Sequence, residues 1–297
     1  MTRINNSKSP LHGLWALTNR ELKKWYKNPF LFLMTVVQPM IWMGLFGKAM
    51  NIAAVFTNVS FTLPPGIPPQ YQEAIQQMIS DFSKQMLTKT FGTTDYFSFM
   101  SMGMLSFVVL FTTMSSGMSI VWDRRLGFLN KVLSTPVARA SILMSKVFSA
   151  VVRSLLQAAI VLGFAFLLGL TLGPDFSPIN LLGVFASLFL IGLGLSSFFI
   201  SIAVRSTRWE TQMAVMNLVN LPLLFASNAL FPTTLMPSWL QPVTQINPIT
   251  YATDAIRQLV LYPIDVPQLI FDFAYLGAFA AIFTVVGILL SWRYLNK

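Results

Sequence analysis

The sequence predicts an all-α membrane protein, one domain over residues 1–297 that crosses the bilayer six times. Three observations lead there. Hydrophobic residues make up 55% of the chain and charged residues only 10%, against about 25% charged in an average soluble domain, so the composition cannot supply a polar skin. Mean hydropathy is +0.64. The apolar residues gather into runs of about 20, the length a bilayer-spanning helix needs, and the charges are divided unequally between alternate connections. There is no Cys and only one His, His12, which excludes disulfides, thiolate metal sites and cysteine nucleophiles and removes most histidine chemistry. No metal site is expected. No cleavable leader is expected either, because the first apolar run follows a basic segment and Pro29.

In chain order, residues 9–28 read as an amphipathic interfacial helix. Leu11, Leu14, Trp15, Leu22, Trp25 and Tyr26 share one face, and Arg20, Lys23, Lys24 and Lys27 the opposite one. His12 falls at the headgroup boundary. The first span, 30–47, is uncharged and contains Pro39, tolerated where neighbours satisfy the freed carbonyl. The connection 48–96 is long. Tyr71, Ile75, Met78, Ile79, Phe82 and Met86 recur in it at helical spacing after Pro68-Pro69, which predicts a small external helix. Asn58-Val59-Ser60 matches a glycosylation triplet by pattern alone.

The second span, 97–122, ends abruptly at Asp123-Arg124-Arg125, and a short connection at 123–143 leads to the third, 145–172. That span holds one charge, Arg153, placed to snorkel or to face the bundle, with Gln157 one turn away. The fourth span is 179–204. After Thr211 no charge occurs until Asp254, and Pro222, Pro232, Pro237, Pro242 and Pro248 divide the stretch. It reads as a fifth span, 211–230, then a broken outer segment, 231–262, dipping back into the membrane. The sixth span is 269–292.

Orientation follows from the positive-inside rule. With six spans, one side of the membrane holds both termini and carries fifteen Lys and Arg against Glu21, Asp123 and Glu210, while the other carries four cations against seven carboxylates. Both termini are therefore expected in the cytoplasm. The same asymmetry accounts for the net charge of +10 without nucleic acid as a partner.

The segment Trp122-Asp123-Arg124-Arg125-Leu126-Gly127-Phe128-Leu129-Asn130-Lys131-Val132-Leu133-Ser134-Thr135-Pro136-Val137 is more patterned than a plain connector requires. It resembles the cytoplasmic coupling segment of the type-2 permeases of ATP-binding-cassette exporters, the family of the daunorubicin-resistance efflux permeases. A second stretch resembles that family's broken outer segment: Asn228-Ala229-Leu230-Phe231-Pro232, Met236-Pro237-Ser238-Trp239-Leu240, Asn247-Pro248-Ile249-Thr250-Tyr251-Ala252 and Arg257. The resemblance covers nearly the whole chain. It departs at Arg125 and Asn130, where many members carry acidic residues. It implies a prokaryotic cell membrane, a second permease copy or close homologue, and two copies of a separate ATPase subunit holding ATP and magnesium. This chain has no G-x-x-x-x-G-K-[ST] of its own and needs no cofactor.

The resemblance gives Asp123, Arg124, Arg125, Gly127, Phe128, Leu129, Lys131, Pro136 and Glu210 to coupling with the ATPase, a surface ion pair being the simpler role for Glu210. It sets the second and fifth spans across the dimer axis, which would bring Met102, Phe107, Phe111, Asn217, Asn220, Leu224 and Phe225 to a cargo path, although the spacing fits one face only roughly. Methionines in the second span, Met100, Met102, Met104, Met114 and Met118, serve as packing or as an adaptable lining. Asn217, Asn220 and Asn228 must face protein or a wet cavity. Pro232, Asn247, Pro248, Tyr251, Asp254 and Arg257 are expected to hold the outer segment, with Asp254 and Arg257 spaced to pair. A lining apolar apart from a few amides suits amphipathic or lipid-like cargo in drug-type efflux, with polysaccharide or glycolipid export as the alternative. A proton- or sodium-coupled transporter would place carboxylates mid-span, where none lies; no filter sequence marks a channel; and no H-E-x-x-H or G-x-S-x-G marks an intramembrane enzyme.

Overall fold

The computed structural model describes residues 10–49, 68–93, 95–135, 137–206 and 208–294. Regular structure among them is entirely helical. The elements are α1 (Pro10–Tyr26), α2 (Pro29–Trp42) running into a π-helical stretch (Met43–Ala49), α3 (Pro69–Phe91), α4 (Tyr96–Arg125), α5 (Phe128–Leu133), α6 (Arg139–Leu167), α7 (Asn180–Ala203), α8 (Trp209–Phe225), α9 (Gln241–Thr244), α10 (Pro248–Val260) and α11 (Val266–Tyr294). A 3₁₀ turn, Thr233–Leu235, precedes α9. The glycosylation triplet at Asn58 and the coupling candidate Pro136 lie outside the described residues.

The central element is α4. Asp95 starts it, its carboxylate accepting from the Phe97 and Ser98 amides at 3.2 and 3.1 Å and from Ser98 Oγ at 2.7 Å, which satisfies orphan donors of the first turn. Residues on every side of it are buried, small hydroxyl side chains such as Ser101, Ser106 and Thr113 among them, and it packs against α6, α7 and α10. Gly103 permits the closest approach: a Cβ there would lie 1.8 Å from the Ala229 carbonyl oxygen, so the chain after α8 rests directly on α4 backbone. Small residues serve membrane helices in this way. Around this core α11 packs on α7, and α1 lies along α6.

Among the described residues four stretches are long and apolar enough to cross a membrane: the one ending at Arg125, Arg139–Leu167, Asn180–Ala203 and Val266–Leu290. Their outer faces expose Leu156, Leu182, Phe189, Ile282, Val285 and Leu289, a surface suited to hydrocarbon and too extensive for water. The protein is therefore an all-α, multi-pass membrane protein. Two further segments of the expected six are shorter, Phe32–Leu45 and the 17-residue α8, the latter about 25 Å long at 1.5 Å per residue.

Several expectations are corrected by packing. α6 begins at Arg139, six residues before the apolar window, because Ile142 clusters with Leu129 and Val132 of α5 and draws the helix beyond the hydrophobic stretch. α8 ends at Phe225, short of Leu230, with Pro222 in its last turn. On α1, Trp15 and Tyr26 are 65% and 78% exposed while Trp25, Thr18 and Glu21 are buried, so the buried stripe is rotated from the purely apolar one. On α3, Tyr71, Met78, Phe82 and Met86 face outward. That helix is tethered at its end, where the Phe91 ring meets Tyr96 and Phe99 edge-on at 5.2 and 5.1 Å.

Candidate functional site

The segment between α4 and α6 forms a short helix bound to its surroundings at both ends. Gly127 turns the chain with φ +69°. A Cβ there would meet nothing within 4 Å, so backbone conformation rather than space calls for glycine. Leu129 and Val132 are buried against Ile142. Phe128 is half-buried beneath the Arg20 guanidinium of α1, 3.2 Å from its ring centroid, a desolvated cation–π contact. Arg124 Nη1 and Nη2 donate to the Ser206 and Val204 carbonyls, both at 2.9 Å, fastening α4 to the end of α7. Arg125 and Lys131 are exposed, as are Asn130 and Glu210; Glu210 sits in the first turn of α8, where the helix dipole favours a carboxylate.

Asp123 differs from its expected role. It is 4% exposed and belongs to an internal ion cluster, with Lys146 Nζ at 2.5 Å and Lys24 Nζ at 3.1 Å from its oxygens. Glu21 completes the cluster, taking Arg20 at 2.9 Å, Lys24 at 3.0 Å and Lys146 at 3.5 Å. With these partners the buried carboxylate joins α1, α4 and α6. Sequence reasoning missed Glu21, Lys24 and Lys146 as a group. The available signal was a lone carboxylate on a basic helix and a lysine inside an apolar run, since each charge in such surroundings demands a partner.

Desolvation pushes the Glu21 carboxyl up, but the Lys146 and Lys24 ammonium groups outweigh it, and the Glu21 carboxyl is held below its ordinary value of 4.5. A depressed carboxylate contributes stability that is present above its ordinary pKa and lost as pH falls through the depressed one. The expected result is a melting temperature for the detergent-purified protein that declines below about pH 4.5, with a shallower decline for Glu21→Gln. Equal slopes would remove Glu21 from the stabilising set.

At the other end of the bundle, Asn247 closes the break after α8. Its Oδ1 accepts from the Ile249 amide at 3.0 Å as the N-cap of α10, and its Nδ2 donates to the Leu223 and Ala226 carbonyls at 2.8 and 2.6 Å. Pro248 occupies the first turn of α10, where its missing N–H costs nothing. Pro232 precedes the 3₁₀ turn, and Tyr251 stacks on Tyr275 of α11 at 3.9 Å. The expected ion pair of Asp254 with Arg257 is replaced by other partners. Arg257, 1% exposed, donates to the Asn228 and Ala229 carbonyls at 2.8 and 2.9 Å and to the Phe99 carbonyl at 3.1 Å, over the Phe99 ring. Asp254 accepts from Asn228 Nδ2. Two carbonyls of the irregular chain after α8, with the Phe99 carbonyl of α4, take the guanidinium in place of a single carboxylate one turn away.

The expected cargo lining divides. Met102 and Phe107 are enclosed in the subunit core, as are Met100 and Met104, so they pack rather than touch cargo in this arrangement. Asn220 and Leu224 are buried, Phe111 is half-buried, and Asn217 and Phe225 are exposed. The α4 and α8 faces expected to line a path lie partly against each other within one chain.

An all-helical bundle with apolar outer faces, a short helix fastened between α4 and α6 and a broken segment after α8 places the chain among multi-pass helical membrane proteins. Residues 12–261 match the ABC-2 type transporter family, and the chain belongs to that family. It is 31% identical over 267 residues to ycf38 of Cyanophora paradoxa, a protein named as a transport permease, covering 87% of this chain and 80% of the relative. It is 26% identical over 181 residues to the daunorubicin resistance ABC transporter permease protein DrrB1 of Streptomyces coeruleorubidus, covering 59% and 63%. It is also 27% identical over 161 residues to the multidrug ABC transporter permease YbhR of Escherichia coli K12, covering 52% and 42%. Permeases of this family work with ATP-binding subunits.

Proposed function

We propose that the chain is the six-span half of an ATP-driven exporter that moves amphipathic or lipid-like molecules outward, with both termini and α5 cytoplasmic. Two copies, or one copy with a close homologue, pair with two separate ATPase subunits that hold ATP and magnesium, in a prokaryotic-type cell membrane. The observation that supports this reading best is the fastening of α5. Arg20 and the Leu129–Val132–Ile142 cluster bind it to α1 and α6, while Arg125, Asn130 and Lys131 remain exposed, so a push on that surface is delivered to the long helices. Related drug-resistance permeases support the cargo class by similarity.

In nanodiscs containing the permease and its ATPase subunits, Gly127→Pro or Phe128→Asp is expected to lower cargo-stimulated ATP hydrolysis by at least about tenfold with insertion unchanged. Full coupling in both variants would remove α5 from the mechanism. One observation favours the glycan alternative: a cavity of about 640 Å³ is lined by Thr234, Gln241, Gln245, Gln268 and Asp254 with Tyr251 and Phe271, hydrogen-bonding and aromatic groups suited to hydroxylated cargo. Stimulation by a polysaccharide precursor and by no amphiphile would select it.

A further inference from the structure

α4 and α6 present polar stripes to one another beside the ion cluster. On α4, Thr112, Ser115, Ser119 and Asp123 recur at steps of three and four, and on α6, Lys146, Arg153 and Gln157 recur at seven and four. Each set therefore lies on one helix face. Between them, with α1 closing the cluster end, runs a cavity of about 470 Å³ lined by Glu21, Lys24, Thr112, Ser115, Ser119, Asp123, Arg153 and Gln157 together with Trp25, Met118, Trp122 and Leu126. One wall is hydroxyl, amide and cation with the two carboxylates already held by the lysines; the rim is aromatic and aliphatic.

The charges do not balance. Arg20, Lys24 and Lys146 share two carboxylates, Glu21 and Asp123, and Arg153 adds a fourth cation. Arg153 makes no ion pair among the described residues; its Nε donates to the Ser149 carbonyl at 3.1 Å. An excess of positive charge half-buried in an apolar bundle is costly unless an anion joins it. A second, independent sign is that Trp25, 9% exposed, has a buried indole N–H with no acceptor among the described residues, although buried donors are nearly always paired.

We infer that this cavity receives the anionic head group of a single-tailed or lipid amphiphile, of phosphate type, with the head between Arg153, Lys24 and the Trp25 indole and the tail along Met118, Trp122 and Leu126 toward the bilayer. A phosphate oxygen would supply acceptors for the guanidinium and the indole together, while the α4 hydroxyls keep their own acceptors, Gln157, the Thr112 carbonyl and Glu21. The inference deepens the exporter reading, on which it rests for placing the cavity at the cytoplasmic leaflet. The occupant is either a resident bilayer lipid or the cargo, and the same chemistry serves both.

The test uses the full chain with its ATPase subunits in phosphatidylcholine nanodiscs, titrated with dodecyl phosphate, dodecyl maltoside and inorganic phosphate and followed by tryptophan fluorescence. Dodecyl phosphate is expected to bind at least about tenfold more tightly than dodecyl maltoside. Arg153→Gln should lose about tenfold of that affinity, while Arg153→Lys should stay within about threefold of wild type. Ser115→Phe, which fills the groove and leaves every cation in place, should also abolish the preference, and it decides the matter if Arg153→Gln lowers the melting temperature. Binding that saturates together with ATPase stimulation identifies cargo; binding without stimulation identifies a resident lipid; both support the site. Equal affinity for the two detergents, equal affinity for inorganic phosphate, or an unchanged preference in folded Arg153→Gln and Ser115→Phe would overturn it. Absence of ATPase stimulation by any compound would count against the exporter reading and leave the binding curve standing.

Discussion

Arg257→Met is expected to deplete the folded protein more than any other single change, lowering the melting temperature in detergent by about 10 °C or more. The guanidinium supplies the donors for three buried carbonyls, at Phe99, Asn228 and Ala229. Each buried acceptor left without a donor costs about 1–3 kcal/mol, and in a chain of this size each kcal/mol is worth about 2–4 °C. Arg257→Lys should recover part of the loss, because one ammonium cannot span carbonyls on two segments in the way a planar fork does. Asp254→Asn should cost less, since Asp254 makes its hydrogen bond to Asn228 rather than an ion pair with Arg257. A melting temperature for Arg257→Met within about 2 °C of wild type would show that the irregular segment after α8 is held by other contacts.

Lys146→Met is the second large effect. It leaves Glu21 and Asp123, 7% and 4% exposed, to the half-exposed Lys24 and to Arg20, with a cost of about 3–5 kcal/mol typical for a buried pair broken on one side. Because the cluster joins α1 to α4 and α6, trypsin cleavage at Lys23, Lys24 and Lys27 should accelerate as α1 detaches. Lys146→Met combined with Asp123→Asn should recover much of the stability, since the second change removes the uncompensated charge. A double variant as unstable as the single would place the effect in packing around the aliphatic stem of Lys146 rather than in charge balance.

The helices of this protein were legible to the extent that their apolar faces repeat. α7 lies within one residue of the apolar window that predicts it, because Ile179 to Val204 carries no charge and charge resumes at Arg205. α6 was less legible, since Ile142 packs on α5 and Leu143 and Met144 join Ile120 of α4 and Ile200 of α7, contacts made with distant protein segments and not with lipid. The segment after α4 was readable as a motif, yet the burial of its individual side chains was not. Phe128 and Leu129 point inward, Arg125 and Lys131 outward, and Asp123 is consumed by Lys146. Periodicity assigns a residue to a face of its own helix and is silent about which neighbour covers that face.

Composition, hydropathy and the position of charge along the chain by themselves determined that this is a helical membrane protein without an ATPase motif or cysteine chemistry, because the solvation free energy of apolar runs and of charges depends on local sequence alone. The tertiary structure decided which polar groups are spent internally. Arg257 and Asn247 serve backbone carbonyls left open where the chain is irregular, and Glu21, Lys24, Asp123 and Lys146, separated by up to 125 residues, neutralise one another at a three-helix junction. Those pairings are made by elements distant in sequence, and an electrostatic interaction that falls with distance in space has no counterpart in the spacing of residues along the chain.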